Sequence, residues 1–308
     1  MTSVRPSDRK FQVVIATAEP RGAYHLEPMY AAMRSSATSF THLVPYPEPV
    51  QGSPWENTTS ELSVLETADR IVITGGGYTA WTELVAHRAT TLGVEFVITE
   101  LAYGAVPDLR DHPLPSAMSA MSPAGAELFA RYHGVASEDV VITGIPLLDS
   151  LPLWEPRERR VLLLSTADAV RQDPTGELRG LADRLTEEGW DVRVRLHPRE
   201  GTDSWTGHSI DRSPTPAIAA ARAAVVIGYP GSAHAIVAAL GVPVVALAPS
   251  VAMQEALPPA QRLLIPNWIS RASDFDPERL ESCAPDHIAH VCGPIGGAAQ
   301  RVVDFWAR

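Results

Sequence analysis

The feature that most constrains this chain is an alternation, met twice along its length, of short apolar β-branched runs with helix-length stretches. In the first half the runs are Phe11–Thr17, Arg70–Gly75, Glu95–Glu100, Ser116–Ser122 and Asp139–Gly144, and Leu84–Leu92 and Ala124–His133 read as helices between them. Runs this short and this uniformly apolar suit strands buried on both faces, the condition of a parallel sheet covered by helices. After Asp149 the segment SLPLWEPRERR is rich in proline and charge, follows neither period, and is expected to link two domains. A second series then begins: Arg160–Thr166, Asp191–His197, Ala223–Tyr229 and Val242–Ala248 as strands. Gly176–Gly189, Ser232–Leu240 and an amphipathic stretch over Gly296–Arg308 read as its helices. The expectation is an α/β protein of two Rossmann-like doubly wound domains, residues 1–153 and 154–308, facing a central cleft.

Composition narrows the function. With 25 Lys+Arg against 36 Asp+Glu the formal net charge is −11, which argues against a general nucleic-acid binder. No apolar run approaches the roughly 20 residues of a membrane helix, and the polar opening MTSVRPSDRK lacks the pattern of a signal peptide. Cys283 and Cys292 are too few for a disulfide framework or a zinc site, so a reducing, cytoplasmic setting is expected. Lys10 is the only lysine, and this bias, with abundant Ala and Pro, points to a high-GC bacterial genome. HExxH, GxSxG, Walker A and GxGxxG patterns are absent. Asp274-Phe275-Asp276 has the Asp-x-Asp form of a metal site, but Pro277 follows at once and the segment reads as the cap of a helix through Glu281. Neither a metal nor a cofactor is implied.

Four segments carry residue types suited to chemistry at strand ends. In Ile227–Leu247 a strand ends at Gly228–Tyr229, turns through Pro230–Gly231–Ser232 and opens into a helix carrying Ala233 and His234. Free N–H groups at such a start suit a phosphate, Gly231 permits close approach, and Ser232 can cap the helix or bond an oxygen. A plain capped βαβ junction has the same pattern. In Arg193–Glu200 arginines alternate with Val194 and Leu196 before His197-Pro198-Arg199, which either closes a loop or receives phosphate oxygens or a sugar hydroxyl. The loop Ala16–Pro28 places His25 near a helix start, where the dipole keeps an imidazole neutral and fit for general-base work. Finally Gly75-Gly76-Gly77 makes an open loop, with Tyr78 and Trp81 as ring-binding or packing residues, and Glu100 ends the next strand.

Taken in order, these segments resemble the GT-B glycosyltransferases, the nearest patterns being the MurG-type N-acetylglucosaminyltransferases and the UDP-N-acetylglucosamine 2-epimerases. His25-x-x-Pro28 is similar to the Gly-His-x-x-Pro of that family's first loop, with Ala23-Tyr24 in place of the glycines. Gly76-Gly77-Tyr78 through Glu100 is similar to its second glycine-rich loop, and Val140–Leu151 to its TGxPxxD ending of the N-terminal half. The segment Tyr229–Val245 resembles the donor-nucleotide helix that leads to Gly-x-Pro. Departures stand beside these matches. Ile236 replaces the glutamate that holds the ribose, leaving His234 as an alternative. Ser165-Thr166-Ala167-Asp168 replaces a glycine-rich loop, and the epimerases' aspartate has no counterpart in Gly75-Gly76-Gly77.

The resemblance implies a metal-independent, inverting transfer of a sugar from a nucleotide-diphosphate donor, UDP-sugar favoured, to a small natural-product or nucleoside-type acceptor. His25, with Glu100 as alternative, would be the base. Thr166, His197, Arg199, Tyr229, Gly231, Ser232, Ala233 and His234 would hold the donor nucleotide, Gln254 and Glu255 its sugar, and Gly76, Gly77 and Tyr78 the acceptor. The last helix is expected to cross back to the N-terminal domain. A UDP-sugar epimerase or hydrolase, and a non-catalytic partner-dependent protein, are the alternatives on the same fold.

Overall fold

Apolar runs become strands because their backbone groups can pair only with neighbours once the side chains are buried on both faces. The computed structural model describes residues 9–17, 26–45, 55, 57–74, 80–101, 114–165, 176–197, 200–231, 233–255 and 257–308. They divide into two compact units, Met1–Asp149 with Gly293–Arg308, and Ser150–Cys292.

In the first unit the strands are β1 (Gln12–Thr17), β2 (Ser39–Leu43), β3 (Thr58–Thr59), β4 (Arg70–Thr74), β5 (Glu95–Thr99), β6 (Ala117–Ala120) and β7 (Val141–Ile142). They form one parallel sheet in the order β3-β2-β1-β4-β5-β6-β7. After α1 (Tyr30–Ser35), helices α2 (Ala80–Leu92) and α3 (Pro123–His133) cover one face, where Val85, Ala86, Ala89 and Phe129 meet Val14, Ile71, Ile73 and Ile98. The opposite face packs Val13, Ile15, Phe40, Val72 and Val97 against α1 and the C-terminal helix, Ala298–Ala307. Ser122 caps α3 by accepting from Gly125 N at 3.1 Å, and Gly134, at φ 66°, ends it.

The TGxPxxD segment has a structural task. Gly297, at φ 69°, offers the C-terminal helix no side-chain cap, and Asp149 supplies one from a distance. Its two carboxylate oxygens accept from Ala298 N and Ala299 N, each at 2.8 Å. Arg301 Nε donates to the Thr143 carbonyl at 2.8 Å. Gly144 sits at φ 85° with its missing Cβ 2.3 Å from the Pro294 carbonyl, so only glycine fits there. Asp149→Ala is expected to destabilise the first unit by about 2 kcal/mol, through two lost charge-assisted caps. A urea midpoint that falls at unchanged slope, with Asp149→Asn intermediate, is the expected result.

The second unit holds β8 (Arg160–Leu164), β9 (Asp191–Arg195), β10 (Ser209–Ile210), β11 (Val225–Gly228), β12 (Val244–Leu247) and β13 (Asn267–Ile269), a parallel sheet ordered β10-β9-β8-β11-β12-β13. Helix α4 (Glu177–Glu187) buries Leu178, Leu181, Ala182 and Leu185 against Val161, Leu163, Val192 and Val194. Elsewhere in the unit α6 (Ala233–Ala239) packs on α5 (Pro216–Ala220) and on a helix over Pro285–Cys292, and α7 (Val251–Glu255) follows β12.

The structure departs from the sequence reading in three places. Strands β2, β3, β10 and β13 were not expected: they lie towards the sheet margins, are two to five residues long, and all carry polar residues, so they lack a continuous apolar run. The Asp274–Glu281 helix is instead two single 3-10 turns, Ala272–Asp274 and Pro277–Arg279. Asp274 accepts from Arg271 N and Asp276 from Glu278 N, two local caps that divert the backbone from a continuous helix. The expected linker belongs to the second unit, where Glu155 N and Arg157 N donate to the Ala221 and Arg222 carbonyls at 2.8 and 3.0 Å. Trp154 Nε1 donates to the Ala223 carbonyl at 2.9 Å. A segment without periodicity is therefore fixed by backbone carbonyls exposed at the end of α5.

Candidate functional site

The carboxyl ends of the first sheet carry a row of hydroxyls. Thr17, Thr74, Thr99 and Ser119 are register neighbours across β1, β4, β5 and β6, and all are buried. They lie on the face of the C-terminal helix: Trp306 Nε1 donates to Thr99 Oγ1 at 2.8 Å, and Ser119 Oγ donates to the same atom at 3.0 Å. His42, on β2 and fully buried, brings its Nε2 within 2.6 Å of Thr17 Oγ1. Burial lowers the His42 pKa to about 4, so its ring is neutral at pH 7. His42 Nδ1 and Thr74 Oγ1 have no hydrogen-bond partner among the described residues. Buried polar atoms left unpaired cost about 1–3 kcal/mol each, and such exceptions cluster where a fold serves a ligand rather than itself. Sequence reasoning passed over this row although its signal was present: each of the four runs carries a Thr or Ser at or near its carboxyl end. His25, Gly76, Gly77 and Tyr78 lie outside the described residues.

Glu100 is buried beside α3. It is 2% exposed, its carboxylate accepts from Met121 N at 3.0 Å, and a Cβ on Gly125 would stand 2.1 Å from its Oε2. A carboxylate pressed against the first turn of α3 complements the positive helix end. This is the environment the structure gives the alternative base of the sequence reading.

In the second sheet the ends of β8, β9 and β11 are adjacent, which gathers Ser165, His197 and Tyr229 at one edge. Glu200, which the sequence reading did not single out, organises that edge. Its Oε1 accepts from Ser165 Oγ at 2.8 Å and Trp205 Nε1 at 3.0 Å, and its Oε2 from His197 N at 3.3 Å. The signal was a glutamate three residues beyond the histidine that ends a strand. The His197 side chain is half-buried, while Thr166, Arg199 and Ser232 lie outside the described residues.

His234 is buried beside the same edge. It is 2% exposed, and its Nδ1 lies 3.0 Å from the Gly231 carbonyl and 3.2 Å from Gly231 N. Burial lowers its pKa to about 4 against the opposing effect of the Gly231 carbonyl, so a neutral ring braces the turn from within. Its Nε2, also buried, has no hydrogen-bond partner among the described residues. Ala233 is half-buried at the start of α6, beside Ile236 on the same helix. Gln254 and Glu255, half-buried and exposed on α7, follow β12 and lie one strand further along the sheet.

Among the described residues, no cluster of three or more His, Cys, Asp or Glu is arranged to hold a metal ion. Among them, too, no helix is long and apolar enough to cross a membrane. Burial pushes the Cys292 thiol up to about 12, which keeps it protonated and unreactive.

No family model matches the chain, and no curated protein matches it in sequence. Solved structures do match. The UDP-GlcNAc 2-epimerase of Neisseria meningitidis, bound to UDP-GlcNAc, superposes with a TM-score of 0.61 at 12% identity, over 96% of this chain and 99% of that one. CalG4, the calicheamicin glycosyltransferase, gives 0.61 at 14% identity over 97% and 98%. The S. aureus MnaA–UDP structure gives 0.57 at 14% identity over 95% of each chain. At such identities the likeness is one of fold. With its two parallel sheets, the chain has the GT-B architecture.

Proposed function

We propose that the protein is a nucleotide-sugar enzyme, and within that class a metal-independent inverting glycosyltransferase using a UDP-sugar. The observation that carries the broader reading is architectural. Two parallel sheets match, over nearly the full chain, solved enzymes whose ligands are UDP and UDP-GlcNAc. The same likeness extends to a glycosyltransferase of a natural product, which supports the transferase reading and a small acceptor of natural-product or nucleoside type.

In this reading the second unit holds the donor. Thr166, His197, Arg199, Ser232 and the Tyr229–Ala233 turn receive the diphosphate and nucleoside, with Glu200 and His234 keeping that edge in shape. Gln254 and Glu255 meet the sugar. The first unit holds the acceptor at Gly76, Gly77 and Tyr78. His25 takes the proton of the acceptor hydroxyl, and the freed oxygen attacks the anomeric carbon from the face opposite the nucleotide. As the new C–O bond forms, the bond to the diphosphate breaks and its electron pair leaves with UDP, whose growing charge His197 and Arg199 stabilise.

The decisive experiment is a thermal-shift panel of UDP, dTDP, GDP, CDP and CMP, followed by donor turnover with candidate acceptors. UDP at a hundred times its Kd should stabilise the protein by about 2.7 kcal/mol, and His197→Ala or Ser232→Ala should shrink that shift. No response to any nucleoside diphosphate, or an undiminished response in both variants, overturns the reading. A UDP-sugar epimerase is the second reading, favoured by the epimerases among the structural matches. It predicts donor conversion with no acceptor present, whereas glycines occupy the positions where those enzymes' loop would carry an aspartate.

A further inference from the structure

The second unit contains a cavity on the face of its sheet away from α4. Successive residues of β9 point to opposite faces: Val192 and Val194 go to the α4 core, and Asp191, Arg193 and Arg195 to the other side. There Arg193, Arg160 at the start of β8, Arg157 before it, Arg212 after β10 and Arg222 after α5 converge on a cavity of about 270 Å³, with Asp211 in its wall. The carboxylates nearby are already engaged. Asp191 accepts from Arg160 Nε at 2.7 Å and Arg193 Nε at 2.8 Å. Burial works to raise the Asp191 carboxyl, and those two hydrogen bonds with the charges behind them outweigh it, so it stays ionised below its ordinary range. Asp211 accepts from Arg195 at 2.8 Å and from Ser213 Oγ at 2.8 Å. Glu155 and Glu158, neighbours of Arg157 in sequence, do not line the cavity. Six guanidiniums therefore meet two carboxylates, and Arg157, Arg212 and Arg222 have no carboxylate partner among the described residues.

Such convergence stands out in a chain of net charge −11. Guanidiniums do not deprotonate; Arg157, Arg212 and Arg222 are exposed, so solvent screens part of their repulsion and a bound anion would relieve the rest. Their planar forks suit phosphate oxygens, and Leu162 and Ile210 complete the wall. The volume lies just under the roughly 300 Å³ at which sites for larger ligands begin, which favours a compact polyanion over an extended one. Sites on parallel sheets ordinarily lie beyond the carboxyl ends of the strands. This cavity lies on a face of the sheet instead, reaching from Arg157 and Arg160 before and at the start of β8, across Arg193 in the middle of β9, to Asp211, Arg212 and Ser213 after β10.

We propose that this arginine-lined cavity is a second anion site, built for a pyrophosphate-sized group, either free or as the diphosphate of a nucleotide. It does not depend on the proposed transfer reaction. Isothermal titration with inorganic pyrophosphate in about 150 mM salt, where loose surface binding is screened, tests it. One pyrophosphate per chain should bind at this site with unchanged affinity in His197→Ala. The Arg157→Ser/Arg222→Ser double variant should weaken it at least tenfold, and Arg157→Lys/Arg222→Lys, which keeps charge without forks, should weaken it less. Without ligand, the serine variant should melt no lower than the parent, since it relieves repulsion. A parallel titration with UDP distinguishes free from nucleotide-borne diphosphate: displacement of pyrophosphate from this cavity points to the latter. Pyrophosphate binding that survives the arginine replacements in a His197→Ala background, that is abolished by His197→Ala alone, or that never occurs while a duplex DNA binds, overturns the proposal.

Discussion

Between pH 6.5 and about 4 the protein should lose stability steeply, and His42→Gln and His234→Gln should each remove part of that loss. Both rings are buried, and in both burial lowers the folded pKa from 6.5 to about 4. In that window the unfolded chain holds a proton that the folded chain refuses, so stability rises with pH through it and falls as acid is added. Above 6.5 neither state holds the proton and the contribution is flat. At about 1.4 kcal/mol per pH unit, each histidine contributes a loss of about 3 kcal/mol once the window is crossed. Glu95 and Asp191 are held below their ordinary values, Glu95 chiefly by its hydrogen bond from Arg70 and Asp191 by Arg160 and Arg193 against burial. Their losses therefore begin at lower pH and separate from those of the histidines. His42 lies in the first unit and His234 in the second, so amide hydrogen exchange against pH should report them independently. A double variant whose stability falls as steeply as the parent's would show that the rings are hydrated, or paired, in solution.

Much of this architecture was legible because parallel strands buried on both faces leave an unmistakable apolar run; all nine runs read from the sequence contain strands. Margin strands such as β2 and β13 escaped because one side of their ladder or one face is relieved of burial, which frees the sequence from the pattern. For the candidate site the residue types were legible and their orientations were not. Glu100 ends its strand, as the sequence indicates, yet whether its carboxylate meets a ligand or the first turn of α3 depends on Gly125 and Met121, more than twenty residues on. The same holds for His234, whose ring turns back on Gly231 instead of outward. Asp149 is the converse: a residue noticed only as part of a pattern, whose long-range cap on a helix 149 residues away has no local signature.

Trp306→Ala should be among the most destabilising single substitutions in the first unit, costing about 3–5 kcal/mol for a fully buried indole that the surroundings cannot refill. Trp306 is 0% exposed, packs at 6.4 Å from the Phe40 ring, and donates to Thr99 Oγ1. Trp306→Phe separates the two contributions. It keeps most of the apolar volume but removes the N–H, and Thr99 Oγ1 still accepts from Ser119. Its cost should be nearer 1–2 kcal/mol, that of one buried hydrogen bond and a small void. Chemical denaturation followed at the first unit would measure both, and hydrogen exchange in β5 and β6 would locate them. Equal losses in the two variants would mean that the hydrogen bond alone matters; no loss in either would mean that the helix is not docked in solution. Through Thr99 the same indole is joined to the hydroxyl row at the carboxyl edge, so the C-terminal helix and the candidate acceptor edge share one packing unit. A substitution that loosens Trp306 without unfolding the chain should therefore disturb Thr99 and Ser119 first, which makes the Phe variant the sharper probe of that edge.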